Sequence, residues 1–201
     1  MIIDLAKRGI NAPTAWEQFE MTMAGVGLDL VDELQRQGYD RPTAGGLARM
    51  ATHGVDLEFV RDLGARGYKL RDSESLVRMR DHGVNPEFIA SLDDAGYKNL
   101  AAESLVRLRD HGVNEDYIAD MKEMGYAPAN PEELVESRDH GVDPSYIASL
   151  KAAGYEGLSL QELRRARDHG VTRGFIERVK GRGYGQPSLD EVIRLRDRGL
   201  D

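Results

Sequence analysis

The chain has 201 residues, no cysteine and a net charge of −8, with 40 % hydrophobic, 31 % charged and 6 % aromatic residues. The absence of cysteine excludes a disulfide framework and a cysteine-based metal site, and no stretch approaches the ~20 apolar residues of a membrane-spanning helix. The apolar fraction suffices for a thin core, which suits a stack of units that each touch only their neighbours.

At the start, Met1 to Ile10 carries Asp4, Lys7 and Arg8, so there is no signal-peptide apolar core. Without leader or cysteine, the expected compartment is the cytoplasm. Two landmarks then recur along the chain. His-Gly-Val stands at His53, His82, His111, His140 and His169, with Arg198-Gly199-Leu200 one step further. Gly-Tyr stands at Gly38, Gly67, Gly96, Gly125, Gly154 and Gly183, with Gly9-Ile10 one step earlier. Both series hold a period of 29 residues without insertion, the mark of a repeat array. The expected fold is an all-α solenoid of 29-residue helix-turn-helix repeats forming one continuous domain. It comprises a half repeat at 1–13, full repeats starting at 14, 43, 72, 101, 130 and 159, and a half repeat at 188–201. Seven helices of each type are expected.

The first full repeat diverges from the pattern. It has Ala24-Gly25-Val26 in place of His-Gly-Val, Gly27 in place of an N-cap side chain, and the only tryptophan, Trp16, with Phe19 nearby. It is read as a divergent cap. In the next repeat Gly45 and Gly46 fall inside the helix expected after Thr43, costing about 1 kcal/mol each relative to alanine.

Residues 101–129 illustrate the unit. Gly112 and Gly125 sit where a helix end needs a left-handed residue, each followed by an apolar residue as the Schellman motif requires: Val113 for Leu108, Tyr126 for Met121. Second helices start at N-caps Asp56, Asn85, Asn114, Asp143 and Thr172, and Pro86 and Pro144 occupy N1, where a missing N–H costs nothing. Val84 and Ile89 form the spacing of a hydrophobic staple. First helices start at the register of Thr14, Thr43, Asp72, Ala101, Asn130, Ser159 and Ser188. Thr14/Glu17, Ser159/Glu162 and Ser188/Glu191 read as capping boxes, and Asn130 with Glu133 comes close to one. Helices of about nine residues are too short to stand alone, so packing must hold them. Leu105 and Leu108 with Tyr117, Ile118 and Met121 supply the buried stripe.

Two polar ladders are candidate sites. The histidines His82, His111, His140 and His169, with the glycines Gly54, Gly83, Gly112, Gly141 and Gly170, are read as helix caps, the imidazole serving the last carbonyls and the negative end of the dipole. A metal, proton or ligand role is the alternative. Repeats roughly 10 Å apart do not bring single histidines to one zinc, which each would have to approach within about 2 Å. Arg80, Arg109, Arg138, Arg167 and Arg196 are each followed by aspartate. They are read as an inter-repeat ladder setting the register, the alternative being a bidentate grip on phosphate or carboxylate ligands. Glu74/Arg78 and Glu103/Arg107 read as exposed i,i+4 pairs. The tyrosines of Gly-Tyr are read as packing inward rather than as stacking platforms for bases.

The units around 76–97 and 105–126 follow Leu-x-x-x-Arg-Asp-His-Gly-Val-Asn-x-x-aromatic-Ile and then Gly-Tyr. This resembles short helical repeats of bacterial proteins, including those in tails of membrane metallopeptidases of the beta-lactam-sensor type, over 43–201. The resemblance implies an accessory or regulatory segment without the peptidase, because no His-Glu-x-x-His occurs.

No nucleophile with a base, phosphate loop or metal motif is present, so the expected protein is non-catalytic, with no cofactor and no metal. The leading expectation is a scaffold for protein or peptide partners, ahead of a spacer or engineered array without a partner. Nucleic acid is disfavoured because four of the six full repeats are net acidic. The repeat at 159–187 has seven basic against three acidic side chains, net +4, and that at 130–158 two against six, net −4. The last helix, with Val192, Ile193 and Leu195, is expected to leave an apolar stripe uncovered, which would favour end-to-end self-association or closure into a ring.

Overall fold

The computed structural model describes residues 2–68 and 70–200, and of Ile2 and Ile3 the backbone alone. Fourteen α-helices and no strand occur among the described residues. Helices of the first type are α2 (Ala15–Met23), α4 (Ala44–Thr52), α6 (Ser73–Asp81), α8 (Ala102–Asp110), α10 (Glu132–Asp139), α12 (Leu160–Asp168) and α14 (Leu189–Asp197). Those of the second type are α1 (Ile2–Lys7), α3 (Leu28–Gln37), α5 (Leu57–Ala65), α7 (Pro86–Asp94), α9 (Glu115–Glu123), α11 (Pro144–Ala152) and α13 (Arg173–Val179). The all-helical repeat expected from the sequence is therefore present, seven helices of each type. Met1 and Asp201 lie outside the described residues.

Contacts divide the chain into two compact units, 1–110 and 111–201. Within the first, each helix packs on the next of its own type: α2 on α4, α4 on α6, α6 on α8, and likewise α3 on α5 and α5 on α7. Within the second, α9 packs on α11, α11 on α13 and α10 on α12. The cores are built from the expected registers. Val55, Val84, Val113, Val142 and Val171 of the repeated turn are buried, as are Leu105, Leu108, Tyr117, Ile118 and Met121.

Local chemistry sets the helix ends. After α6, Gly83 donates to the Arg80 carbonyl at 3.0 Å and Val84 to the Met79 carbonyl at 2.9 Å, the two bonds of a Schellman turn. Gly83 has φ +72°, a conformation that a side chain bearing Cβ strongly disfavours. Asp56, Asn85, Asn114, Asp143 and Thr172 all accept from the N3 amide, and the three expected capping boxes form. The fourth does not: α10 starts one residue later, at Glu132, and Asn130 Oδ1 accepts from the Glu132 amide at 3.1 Å instead. The wide turn Lys180–Tyr184 after α13 is a further departure, although Gly183 within it keeps the left-handed φ of +90° expected at this register.

The expected uncovered stripe on the last helix is also corrected. Val192 and Ile193 are buried and Leu195 is half-buried. The stripe points back onto its own unit, where Arg165 pairs with Asp190 and Arg196 lies over the Phe175 ring, so one neighbouring repeat suffices to cover it.

Candidate functional site

The two polar ladders meet between repeats. Each histidine stands at or beside a helix C-cap, as at His53, His82, His140 and His169, and its ring reaches the aspartate of the following repeat. Nδ1 lies 2.6 Å from the carboxylate in His53–Asp81, 2.7 Å in His111–Asp139, 2.6 Å in His140–Asp168 and 2.7 Å in His169–Asp197; His82 and Asp110 make the same pair. A carboxylate only accepts, so Nδ1 carries the proton in each pair. The imidazole is thus placed by the next repeat's acid, a partner that capping alone does not require.

The arginines reach back, but not to those aspartates. The guanidinium of Arg80 lies 5.0 Å from the Phe59 ring centre, Arg109 4.5 Å from Phe88, Arg138 4.9 Å from Tyr117, Arg167 4.8 Å from Tyr146 and Arg196 5.1 Å from Phe175. Each stack joins a first-type helix to the second-type helix of the repeat before it. The glycine of the preceding turn makes room: a Cβ on Gly54, Gly83, Gly112, Gly141 or Gly170 would lie 3.2–3.6 Å from the arginine Nε. Arg109 Nε also donates to the Gly83 carbonyl at 2.7 Å. All five glycines have φ between +66° and +73°. The capping glycine, the aromatic ring and the arginine therefore form one joint, and the neighbouring aspartate serves a second.

A third series runs along the first-type helices. Arg49 pairs with Glu74 and Arg78 with Glu103, both at 2.9 Å, and Arg165 with Asp190. The glutamates expected to pair at i,i+4 within their own helix are paired with the preceding repeat instead. Every first-type helix in these joints presents a base and a histidine four residues apart to the next helix. The next helix answers with two acids seven residues apart, such as Glu74 and Asp81.

Four tyrosines of the second unit close repeat boundaries, whereas Tyr184, expected to pack inward like the others, is 51 % exposed. Tyr126 donates to the Leu158 carbonyl at 2.7 Å and Tyr155 to the Pro187 carbonyl at 2.6 Å. Tyr117 and Tyr146 are buried and donate to the carbonyls of Val142 and Val171 at 3.0 and 3.1 Å. Burial pushes both phenols up to about 12. Among the described residues no cluster of three or more His, Cys, Asp or Glu side chains is placed to hold a metal, and no helix is long and apolar enough to cross a membrane.

An apolar surface that these joints do not absorb lies on α2. Trp16, Phe19 and Met23 are 66 %, 52 % and 72 % exposed, spaced three and four residues apart on one face, with the Trp16 and Phe19 rings stacked at 5.5 Å. Residues 9–35 hold five acidic and no basic side chains. Just past Met23, Ala24 and Gly25 begin a groove of about 500 Å³ lined also by Asp29, Asp56, Glu58 and Asp62. In the second unit a groove of about 800 Å³ runs between Met124, Tyr126, Ile147, Tyr155 and Leu163. Composition singled out Trp16 and Phe19 as marks of a divergent cap; their exposure depends on what packs on α2 and has no one-dimensional signal. Compared with known protein families and with curated proteins, the chain matches none.

Proposed function

We propose that this helical-repeat protein is a non-catalytic scaffold that binds a protein or peptide, and that α2 carries the docking face. The observation that supports this reading is the exposure of Trp16, Phe19 and Met23 together on one helix. Contiguous apolar side chains left in water mark interaction surfaces, and aromatic residues dominate the energetics of such surfaces. The histidine and arginine ladders are taken up by contacts between repeats, which favours a rigid frame over a ligand-gripping stripe. The resemblance of the repeats to accessory tails of bacterial membrane metallopeptidases fits a segment that recruits rather than reacts.

A pull-down from native lysate with the intact chain and with a Trp16→Ser, Phe19→Ser variant tests the reading. A species recovered by the first and lost by the second supports it. Identical recoveries, with both proteins equally folded, overturn it and leave the spacer reading that the repeated joints also favour.

A further inference from the structure

Resting on that docking reading, we infer that the occupant of the α2 face is a helix with a cationic face, carrying two basic side chains one turn apart. The argument comes from register. Trp16 holds the position of Glu74, Glu103 and Asp190 in later repeats, and Met23 that of Asp81, Asp110 and Asp197. Those acids receive Arg49, Arg78 and Arg165, and His53, His82 and His169, from the first-type helix of the preceding repeat. Phe19 holds the position of Ala48, Val77 and Ile193, which are buried. The face that α2 exposes is therefore the one on which the repeat seats a preceding first-type helix.

Chemistry selects which helix fits. The seated helices present a base and a second nitrogen ligand four residues apart, the spacing of one turn. On α2 the receiving acids are replaced by an indole ring and a thioether, with Phe19 between them at the helix-packing position. A guanidinium can sit over the indole face, the most favourable of the aromatic rings for a cation. The surroundings add attraction: Glu17 and Glu20 on α2 itself, and four carboxylates along the groove that begins beside Met23, whereas Asp32 and Glu33 are already taken by Arg8 and Arg36. Arg61 in that groove already serves Glu33 at 3.3 Å. An acidic or neutral helix would meet the apolar stripe without this attraction.

The chain supplies a probe of the required kind. Its last helix carries Arg194 and Arg198, one turn apart at the registers of Arg165 and His169. The experiment is a fluorescence titration of Trp16, the only tryptophan, with a helix-stapled peptide of the Ser188–Leu200 sequence. A blue shift that saturates is expected, weakened about tenfold or more when Arg194 and Arg198 of the peptide are replaced by glutamate, and weakened by salt. Phe19→Ala in the intact chain, with its circular dichroism unchanged, should lower the affinity by a similar factor. Equal binding of the arginine and glutamate peptides overturns the cationic assignment while leaving α2 a docking face. Binding of the arginine peptide that Phe19→Ala leaves unchanged places the cation elsewhere and also overturns it. Self-association of the unmixed chain that Arg194→Glu abolishes supports the cationic assignment and makes a second copy the source of the helix. Loss of the lysate partner in the Trp16→Ser, Phe19→Ser variant without any peptide binding would uphold the docking reading and reject this one.

Discussion

The repeat that starts at 14 and the repeat that starts at 72 have the same helices and nearly opposite surfaces. On α6, Glu74, Val77 and Asp81 face a neighbour and are paired or buried; on α2, Trp16, Phe19 and Met23 hold the same registers and lie in water. Apolarity is not what decides burial here. On this face a side chain is buried when a helix of the first type precedes it, whereas Met21, on another face of α2, is buried without one, and the polar joints occur where that neighbour exists.

The strongest way to break the comparison is to truncate one aromatic in each setting. Phe88 is fully buried beneath Arg109, and Phe88→Ala is expected to cost about 3–5 kcal/mol. Phe19→Ala, on the bare face, should stay within about 0.5 kcal/mol. Urea unfolding of both variants decides it, and similar losses would show that the α2 ring is covered in solution.

A smaller effect comes from the joint itself. Gly141 has φ +68°, and a Cβ there would lie 3.2 Å from Arg167 Nε. Gly141→Val is expected to cost more than 2 kcal/mol, because the left-handed strain of about 1–2 kcal/mol adds to a displaced arginine. His140→Ala removes an exposed pair with Asp168 and should cost about 0.2–1 kcal/mol. Thermal melts in which the histidine change proved the worse would give that ladder a role beyond joining repeats.

Arg109→Ala should cost about 1–2 kcal/mol, losing both the stack on Phe88 and the bond to the Gly83 carbonyl. Arg109→Lys should recover only part, since an ammonium lacks the planar fork. A lysine variant as stable as the native chain would reduce the joint to charge alone.

A further effect concerns the phenols of the second unit. At one register the first unit has Phe59 and Phe88, and the second has Tyr117 and Tyr146 followed by Phe175. Tyr117→Phe should cost about 1 kcal/mol at neutral pH, for the lost bond to Val142. Folded phenols raised to about 12 against the usual 10 favour the protonated form, so their contribution is complete below pH 10 and is lost as pH rises toward 12. Alkaline denaturation followed by phenolate absorbance should therefore shift to higher pH in the double phenylalanine variant; an unchanged midpoint would mean these phenols do not control it.

Periodicity alone determined the helices, their number and most of their ends, α10 and the turn after α13 excepted, because caps, left-handed glycines and apolar spacing act within a few residues of chain. It also placed Val84, Leu105 and Ile118 in the core. The His-to-Asp and Arg-to-ring partners lie 28 and 21 residues apart, and such pairings depend on how neighbouring repeats are set against one another. Spacing suggested that arginine and aspartate work together, whereas tertiary packing sends them to different partners. Packing likewise turned the glutamates to the preceding repeat and covered Val192 and Ile193. It also left Trp16 bare, for burial is a property of what stands opposite a side chain, and that is settled only when helices distant along the chain come together.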